Sequence, residues 1–380
     1  MRTVGIICEY NPLHRGHEKQ LRLAKALGGE GTVCLMSGNF VQRGAPAIVD
    51  KSLRAAAALR CGADLVLELP VTAALSSAEG FAREGVRLLS GFCDDLCFGA
   101  ETADSGLLLS TVKALLSDEF SPALRLELDK GLSFPAARSA ALKALGMDSA
   151  VLDTPNNILG VEYCKAILSS GCAMNPMVIH RGGDYHDREA DRENPSATAV
   201  RQQMTSGAEW SDLVPDEAAE LFRGASLHTM DAGERAVLAR LRTMTDEEFE
   251  ALPFGSEGLW RKLMHECRRR ACLEEIAAAV KSKRYTRTRI DRMIMCAFLG
   301  ITEAALQQPA PYARVLAFND TGREILNQAR QSGSYPNIGE KLGHPYEALE
   351  NRADDLYGLF APQPEPAGVA GQRRVIYNVY

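Results

Sequence analysis

The chain has 380 residues, of which 46% are hydrophobic and 24% charged, and a formal net charge of −6. That length exceeds one average domain and sets an expectation of two or three, in a composition able to bury sizeable cores. No uninterrupted apolar segment approaches the length of a membrane span, and the mild overall charge neither favours nor excludes a polyanionic partner.

Met1-Arg2-Thr3 leads directly into a first short apolar run, Val4–Cys8, without the longer apolar stretch of a signal peptide. Further runs follow at Thr32–Met36, Asp64–Leu69, Leu96–Phe98 and Met177–Ile179. Amphipathic stretches lie between them at Gly16–Leu27, Lys51–Cys61, Ser77–Ser90 and Ser105–Leu116. Short, continuous apolar runs are expected of parallel strands covered on both faces. Their alternation with helical patterns predicts an α/β, Rossmann-like parallel sheet. A helical insertion is expected at about 119–150, and Asp153-Thr154-Pro155-Asn156 starts another helix over Asn157–Leu168. After Ser196–Met204 the strands largely vanish. Trp210 to about Leu306 reads as helix, broken at Pro215, Pro253 and Gly255, before a candidate strand at Arg314–Phe318 and a Pro/Gly-rich piece at Ala361–Gly371. The expected division is a nucleotide-binding domain over 1–206 and a C-terminal, mainly helical domain over 207–380.

The sharpest chemical signal is the first strand-to-helix junction, Cys8-Glu9-Tyr10-Asn11-Pro12-Leu13-His14-Arg15-Gly16-His17. Open α/β sheets bind ligands at the carboxyl edge, where such a turn delivers the chain. His14 and His17, three apart at a helix start, can face the same side. Gly16 removes a side chain where a phosphate must approach, and the helix N-terminus adds free N–H groups and partial positive charge. Two imidazoles there can donate to phosphate oxygens as charge builds during attack on the α-phosphorus.

A second segment, Ser196-Ala197-Thr198-Ala199-Val200-Arg201, offers two hydroxyls at a helix start and an arginine one turn later. Arg181, in His180-Arg181-Gly182-Gly183-Asp184-Tyr185-His186-Asp187, follows the last strand and suits a nucleotide. Gly99, in Phe98-Gly99-Ala100-Glu101, can let a base or ribose lie against backbone. Neither a G-x-G-x-x-G turn nor a P-loop is present, so the ordinary dinucleotide and P-loop solutions are absent. Of the ten cysteines, six sit singly in apolar runs, and the closest pairs, Cys93/Cys97 and Cys267/Cys272, lack metal or redox spacing. A reducing, cytoplasmic setting is the default.

Between Trp260 and Arg292 eleven basic residues stand against four acidic ones, an excess of seven positive charges in an acidic chain. Within it, Lys281-Ser282-Lys283-Arg284-Tyr285-Thr286-Arg287-Thr288-Arg289 sets cations among hydroxyls, with Tyr285 able to stack on a base. A solvated helix face normally balances its signs; this one does not, which favours an RNA partner.

With these residues in hand, the chain resembles the HIGH-motif nucleotidylyl transferase superfamily, and within it the tRNA(Met) cytidine acetate ligase family. The resemblance rests on Gly5 through His17, Met36 through Gly44, Asp64 through Pro70, Phe98 through Glu101, Pro155 through Gly160 and Lys283 through Arg289. It implies an enzyme that joins acetate to ATP, giving acetyl-adenylate and pyrophosphate. The acetyl group then passes to the exocyclic amine of the wobble cytidine in the anticodon arm of elongator methionine tRNA. It further implies ATP contacts from Ile7, Cys8, Glu9, Tyr10, Asn11, Pro12, Leu13, His14, Arg15, Gly16, His17, Glu18, Lys19 and Gln20, with others at Gly99, Asn156 or Asn157, and Arg181. Ser196, Thr198 and Arg201 would hold the outer phosphates, with magnesium on the triphosphate and no dedicated protein metal site. Lys281, Lys283, Arg284, Tyr285, Arg287 and Arg289 would hold the tRNA. Two alternatives stand beside it: an adenylyltransferase acting on a phosphorylated small molecule, and a non-catalytic RNA-binding protein that keeps a nucleotide pocket. The first leaves the basic segment unexplained, the second the intact histidines.

Overall fold

The computed structural model describes residues 1–102, 104–181 and 195–378. Among the described residues nine strands are formed: β1 Thr3–Cys8, β2 Gly31–Ser37, β3 Phe40–Val41, β4 Ala45–Pro46, β5 Leu65–Leu69, β6 Asp95–Ala100, β7 Asn175–His180, β8 Arg314–Phe318 and β9 Ile376–Tyr377. Seven of them make one sheet in the order β7-β6-β1-β2-β5-β8-β9, while β3 and β4 pair as a small hairpin. From β1 the chain first adds β2 and β5 on one side, then returns to add β6 and β7 on the other, all in parallel. The connection therefore reverses between β1 and β6, and above their carboxyl ends opens the crevice such a reversal creates.

Every residue of β1, β2 and β5 is buried, which accounts for their unbroken apolar character. Their side chains alternate between two cores. Ile7, Val33, Leu35 and Leu67 enter one, together with Phe81, Phe98, Leu142, Val161 and Tyr163. Ile6, Cys8, Cys34 and Met36 enter the other, with Leu13, Leu21, Val200 and Met204. A third core is almost wholly helical, built from Val237, Phe249, Leu263, Ile276, Ile294 and Phe298. Phe40 of the β3–β4 hairpin joins that core, its ring edge-on to Tyr357 and Phe360.

The strands and helices expected in the first half are present within a residue or two of their expected ends. The inserted region forms two helices, Phe120–Asp129 and Phe134–Ala144. Two features differ. The sheet is not wholly parallel, because β8 runs antiparallel to β5. The candidate strand Arg314–Phe318 forms as β8, but in an unexpected place, inside the sheet, with the helix Asp320–Ser332 packed on β2 and β5 and β9 closing the far edge. Sheet burial is decided by partners nearly 250 residues away, so a lone five-residue run gave no hint of its interior place. The β3–β4 hairpin and β9 are too short to show a periodicity.

Candidate active site

Over the carboxyl ends of β1 and β6 lies a cleft of about 1070 Å³. Ile7 and Cys8 of one strand, Glu9 just after it, and Phe98 and Gly99 of the other line it there. The helix Arg15–Ala26 starts here, with His14 as its N-cap in extended conformation. His14 Nδ1 accepts from the Gly16 N–H at 3.2 Å, and His17 Nδ1 accepts from the His14 N–H at 3.3 Å. The two histidines thus complete a capping box, with the imidazoles in the roles usually held by Ser and Glu. Their rings stack with centroids 3.7 Å apart, and Tyr10 leans against His17 at 5.0 Å.

This cap fixes the chemistry of the rings. An Nδ1 that accepts cannot carry the proton, so in each neutral ring the hydrogen sits on Nε2. His14 Nε2 is buried and has no partner among the described residues. Burial, and after it the positive charge of Arg181 and Arg201, pushes the pKa of His14 down to about 3. Burial likewise holds His17 well below the ordinary histidine value, reinforced by His14 and Arg181. Both therefore stand as neutral donors rather than cations. Gly16 has a reason beyond ligand access: a Cβ there would meet the His14 ring at 3.1 Å.

The second segment reaches the same place. Ser196 caps the helix Ala197–Ser206, its hydroxyl accepting from the Ala199 N–H at 3.1 Å. Arg201 Nη1 donates to the Asn11 carbonyl at 2.6 Å and Nη2 to the Thr198 hydroxyl at 3.1 Å. One guanidinium thus ties the second helix to the histidine turn. Across the cleft, Glu101 accepts from Thr154, from the Asn156 side chain at 2.6 Å and from the Asn157 backbone at 3.0 Å. Asn156 in turn accepts from Arg181 Nη1 at 3.3 Å. Burial opposes the charge on Glu101, but the bonds from Asn156 and Thr154 outweigh it and keep its pKa below the usual glutamate value.

The structure separates the residues expected at the nucleotide. Ile7, Cys8, Glu9, Tyr10, Asn11, His14, Gly16, His17, Lys19, Gln20, Gly99, Asn156, Arg181, Ser196, Thr198 and Arg201 line one cleft. Pro12, Leu13, Arg15, Glu18 and Asn157 do not. Leu13 is fully buried in the core. Arg15 turns away to the Asp212 carbonyl and the Asp216 carboxylate. Asn157 is spent on Thr102, donating to its hydroxyl and accepting from its N–H. Of the two adjacent asparagines it is therefore Asn156 that faces the cleft. Residues 182–187, which follow Arg181 in the sequence, lie outside the described residues.

Other contributors left little sequence signal. Arg54 is wholly buried, and it donates to the carbonyls of Val49, Glu9, Ser37 and Gly38. This side chain draws the turns after β1 and β2 together and pairs with no carboxylate among the described residues. Gln42, Arg43, Thr286, Thr288 and Arg292 form the mouth of the cleft. Gly44, at φ +77°, lets the β3–β4 turn meet the helix Arg287–Leu299, where a Cβ would come within 2.4 Å of the Arg292 nitrogen. The cationic segment thus begins at the rim of the nucleotide cleft.

That segment is less unbalanced than its composition. Arg284 pairs with Glu257 at 2.6 Å, and Tyr285 donates to the same carboxylate at 2.9 Å. Arg287 pairs with Glu274 at 2.7 Å and Asp291 at 2.8 Å. Arg289 is held by the Phe254 carbonyl and lies over the Tyr285 ring. Arg268 meets Asp246 at 2.9 Å. The expected excess is a correction to make: Glu257 and Asp246, from outside the counted stretch, neutralise part of it. Lys281 and Lys283 remain exposed, without an ion pair among the described residues.

A sheet whose connection reverses beside an HxGH turn, closed by a Ser-x-Thr-x-x-Arg helix, defines a nucleotidyl transferase of the HIGH type. Consistent with this, a family profile described as "HIGH Nucleotidyl Transferase" matches residues 1–370. The tRNA(Met) cytidine acetate ligase of Clostridium novyi (strain NT) is 38% identical over 357 residues, 88% of this chain and 89% of that protein. The enzyme of the same name from Acetivibrio thermocellus is 34% identical over 362 residues, 88% of this chain and 87% of its own. Among solved structures, Thermotoga maritima TmcAL in its apo form superposes with a TM-score of 0.91 at 30% identity, covering 99% of both chains. The same protein bound with alpha-thio ATP gives 0.88 at 30% identity and the same coverage. The chain belongs to the tRNA(Met) cytidine acetate ligase family.

Proposed function

We propose that this chain is a cytoplasmic, ATP-dependent ligase that activates acetate as acetyl-adenylate and transfers the acetyl group to the wobble cytidine of elongator methionine tRNA. The observation that carries the first half is the stacked, neutral imidazole pair with Nε2 hydrogens at a helix N-terminus. An acetate oxygen attacks the α-phosphorus and pyrophosphate leaves. Negative charge grows on the non-bridging oxygens, where His14 and His17 donate. Arg201, Thr198 and Ser196 hold the outer phosphates, and the Glu101–Asn156–Arg181 chain lies beside Gly99, where the nucleoside rests. Magnesium accompanies the triphosphate itself; among the described residues no group of three or more His, Cys, Asp or Glu side chains is placed to hold a metal.

In the second step the exocyclic nitrogen attacks the acetyl carbonyl, the carbon–oxygen bond to phosphate breaks, AMP departs and the amine loses a proton. The names of the relatives and the ATP analogue bound by the Thermotoga maritima protein support this reading. So does the position of the segment Lys281–Arg289, at the rim over the cleft, where it would receive the anticodon arm. The region from residue 207, apart from the strands it returns to the sheet, serves as the RNA-holding part. Free thiols at all ten cysteines accord with a reducing compartment, and no helix among the described residues is long and apolar enough to cross a membrane.

Pyrophosphate release from ATP is the test, with and without acetate and tRNA. Acetate-dependent release, followed by acetylated cytidine in the RNA, is the expected result. Release that requires a phosphorylated metabolite instead would identify an adenylyltransferase, and no turnover a binding protein.

A further inference from the structure

The cleft does not end at the phosphate machinery. It extends past the ends of β1 and β6 beneath the inserted helices, between walls of Phe81, Phe98, Phe120, Leu124 and Tyr163. Two charged side chains sit among these apolar groups, Arg138 and Glu162, only 9% and 6% exposed. Arg138 Nη1 donates to Glu162 Oε1 at 2.7 Å. Glu162 Oε2 is buried and accepts from no described residue. A buried carboxylate oxygen without a donor is rare and unfavourable, and its chemistry asks for an N–H or O–H from a ligand.

The location narrows the ligand. His14, His17 and Arg201 belong to helices packed in the core of Leu13, Leu21 and Val200. Arg138 and Glu162 belong to helices packed in the opposite core, with Ala141, Leu142 and Val161. Glu162 shares the helix Pro155–Ser170 with Asn156 but stands six residues further along it, about 9 Å at the helical rise, so the compartment lies beyond the ATP contacts. Acetate is too small to fill aromatic walls, and its charge would oppose Glu162. A flat heterocycle with an amine beside a ring acceptor matches both: its faces lie on aromatic rings, its amine donates to a carboxylate and its acceptor takes a guanidinium hydrogen.

We propose that this compartment seats the cytosine base that receives the acyl group, with its exocyclic amine on Glu162 Oε2 and its ring acceptors toward Arg138. The assignment rests on the ligase reading above for the identity of the base. Glu162 is then a specificity-determining residue: uracil would set a carbonyl oxygen against the carboxylate and be rejected.

Two variants of the full chain test this. Glu162→Gln keeps shape but removes the anionic acceptor, and Leu124→Trp fills the compartment from its partly buried wall without touching the ion pair. Saturation-transfer NMR with cytidine, uridine and ATP as separate probes reads binding without any reaction, and transfer of labelled acetyl to tRNA reads turnover. The expected result is cytidine binding, in preference to uridine, weakened at least about tenfold in both variants, acetylation falling alongside, and ATP binding unchanged. Cytidine binding that survives in both variants overturns the seat. Loss of ATP binding instead overturns it by placing adenine there. Were the unaltered chain to bind cytidine in this compartment yet acetylate no RNA, the ligase reading would fail while the seat stood.

Discussion

At the turn after β1 two imidazoles, His14 buried and His17 half-buried, are uncharged and turn their Nε2 hydrogens to the cleft, whereas at Lys281–Arg289 the cations stand near the surface, two of them already held by carboxylates. The first arrangement is closed and local. The His14 ring accepts from the Gly16 N–H, the His17 ring from the His14 N–H, and Arg201 holds the turn at the Asn11 carbonyl, so their donors wait in place for charge that arrives with a substrate. The second is open, and its partners Glu257 and Glu274 come from other elements. Preorganised neutral donors suit stabilisation of a transient charge, because nothing must reorganise as it forms. Exposed cations suit a long polyanion, whose attraction to each is weak, additive and sensitive to salt.

The largest test of that contrast falls on the turn. His14→Asn keeps a side-chain acceptor for the Gly16 N–H, so the helix start survives while the Nε2 donor is lost. Acetate-dependent pyrophosphate release should fall roughly a hundred- to a thousand-fold, with an unchanged circular dichroism spectrum; a loss under threefold would mean the imidazole is only a cap. Next comes the frame behind the turn. Arg54→Met strips four carbonyls of their donor and should cost about 3 kcal/mol in urea denaturation, as breaking buried charged hydrogen bonds does.

Acid provides a third, smaller test. With the His14 pKa down to about 3 when folded and 6.5 when unfolded, only the unfolded chain takes a proton as pH falls below 6.5. Stability is then lost toward acid, by about 2 kcal/mol at pH 5 for this one ring. Denaturation at pH 5 and 7 should show that loss reduced in His14→Asn; identical losses in both proteins would place the ring in water. The smallest effect belongs to the open region. Lys281→Ala with Lys283→Ala should weaken tRNA binding about three- to tenfold and flatten its logarithmic salt slope by about 2 units. Arg284→Ala with Arg287→Ala should change that slope less, since those charges are already answered, and lower the melting temperature instead. Equal slope changes would show that the ion pairs open to RNA.

The same contrast explains how much the sequence disclosed. The histidine turn is written within ten residues, and cap, stack and tautomer all follow from neighbours in the chain, so the motif was legible. The sheet strands of the first half were legible too: in β1, β2, β5 and most of β6 burial on both faces leaves an unbroken apolar run, and the half-exposed edge strand β7 keeps a short one at Met177–Ile179. Arg54 was not, because a buried arginine bound only to carbonyls looks like any other arginine in a helix. Asn156 and Asn157 differ only in which side of one helix turn faces Glu101. Charge counted along the Trp260–Arg292 stretch overlooked Glu257 and Asp246, which fold back from beyond its limits. The aromatic compartment around Arg138 and Glu162 gathers residues from separate helices, and no spacing announces it.

The inward position of β8 bears on how the protein is made. The ribosome has synthesised more than three hundred residues before β5 can acquire its outer neighbour, so for most of translation the edge of that apolar strand away from β2 is unpaired. A chain stopped at residue 206 would keep the histidine turn yet present Leu65–Leu69 as a sticky flank. Such a fragment is expected to aggregate rather than work alone. The far end of the polypeptide is in this sense a late-arriving guard for the nucleotide fold, besides anything it does for RNA.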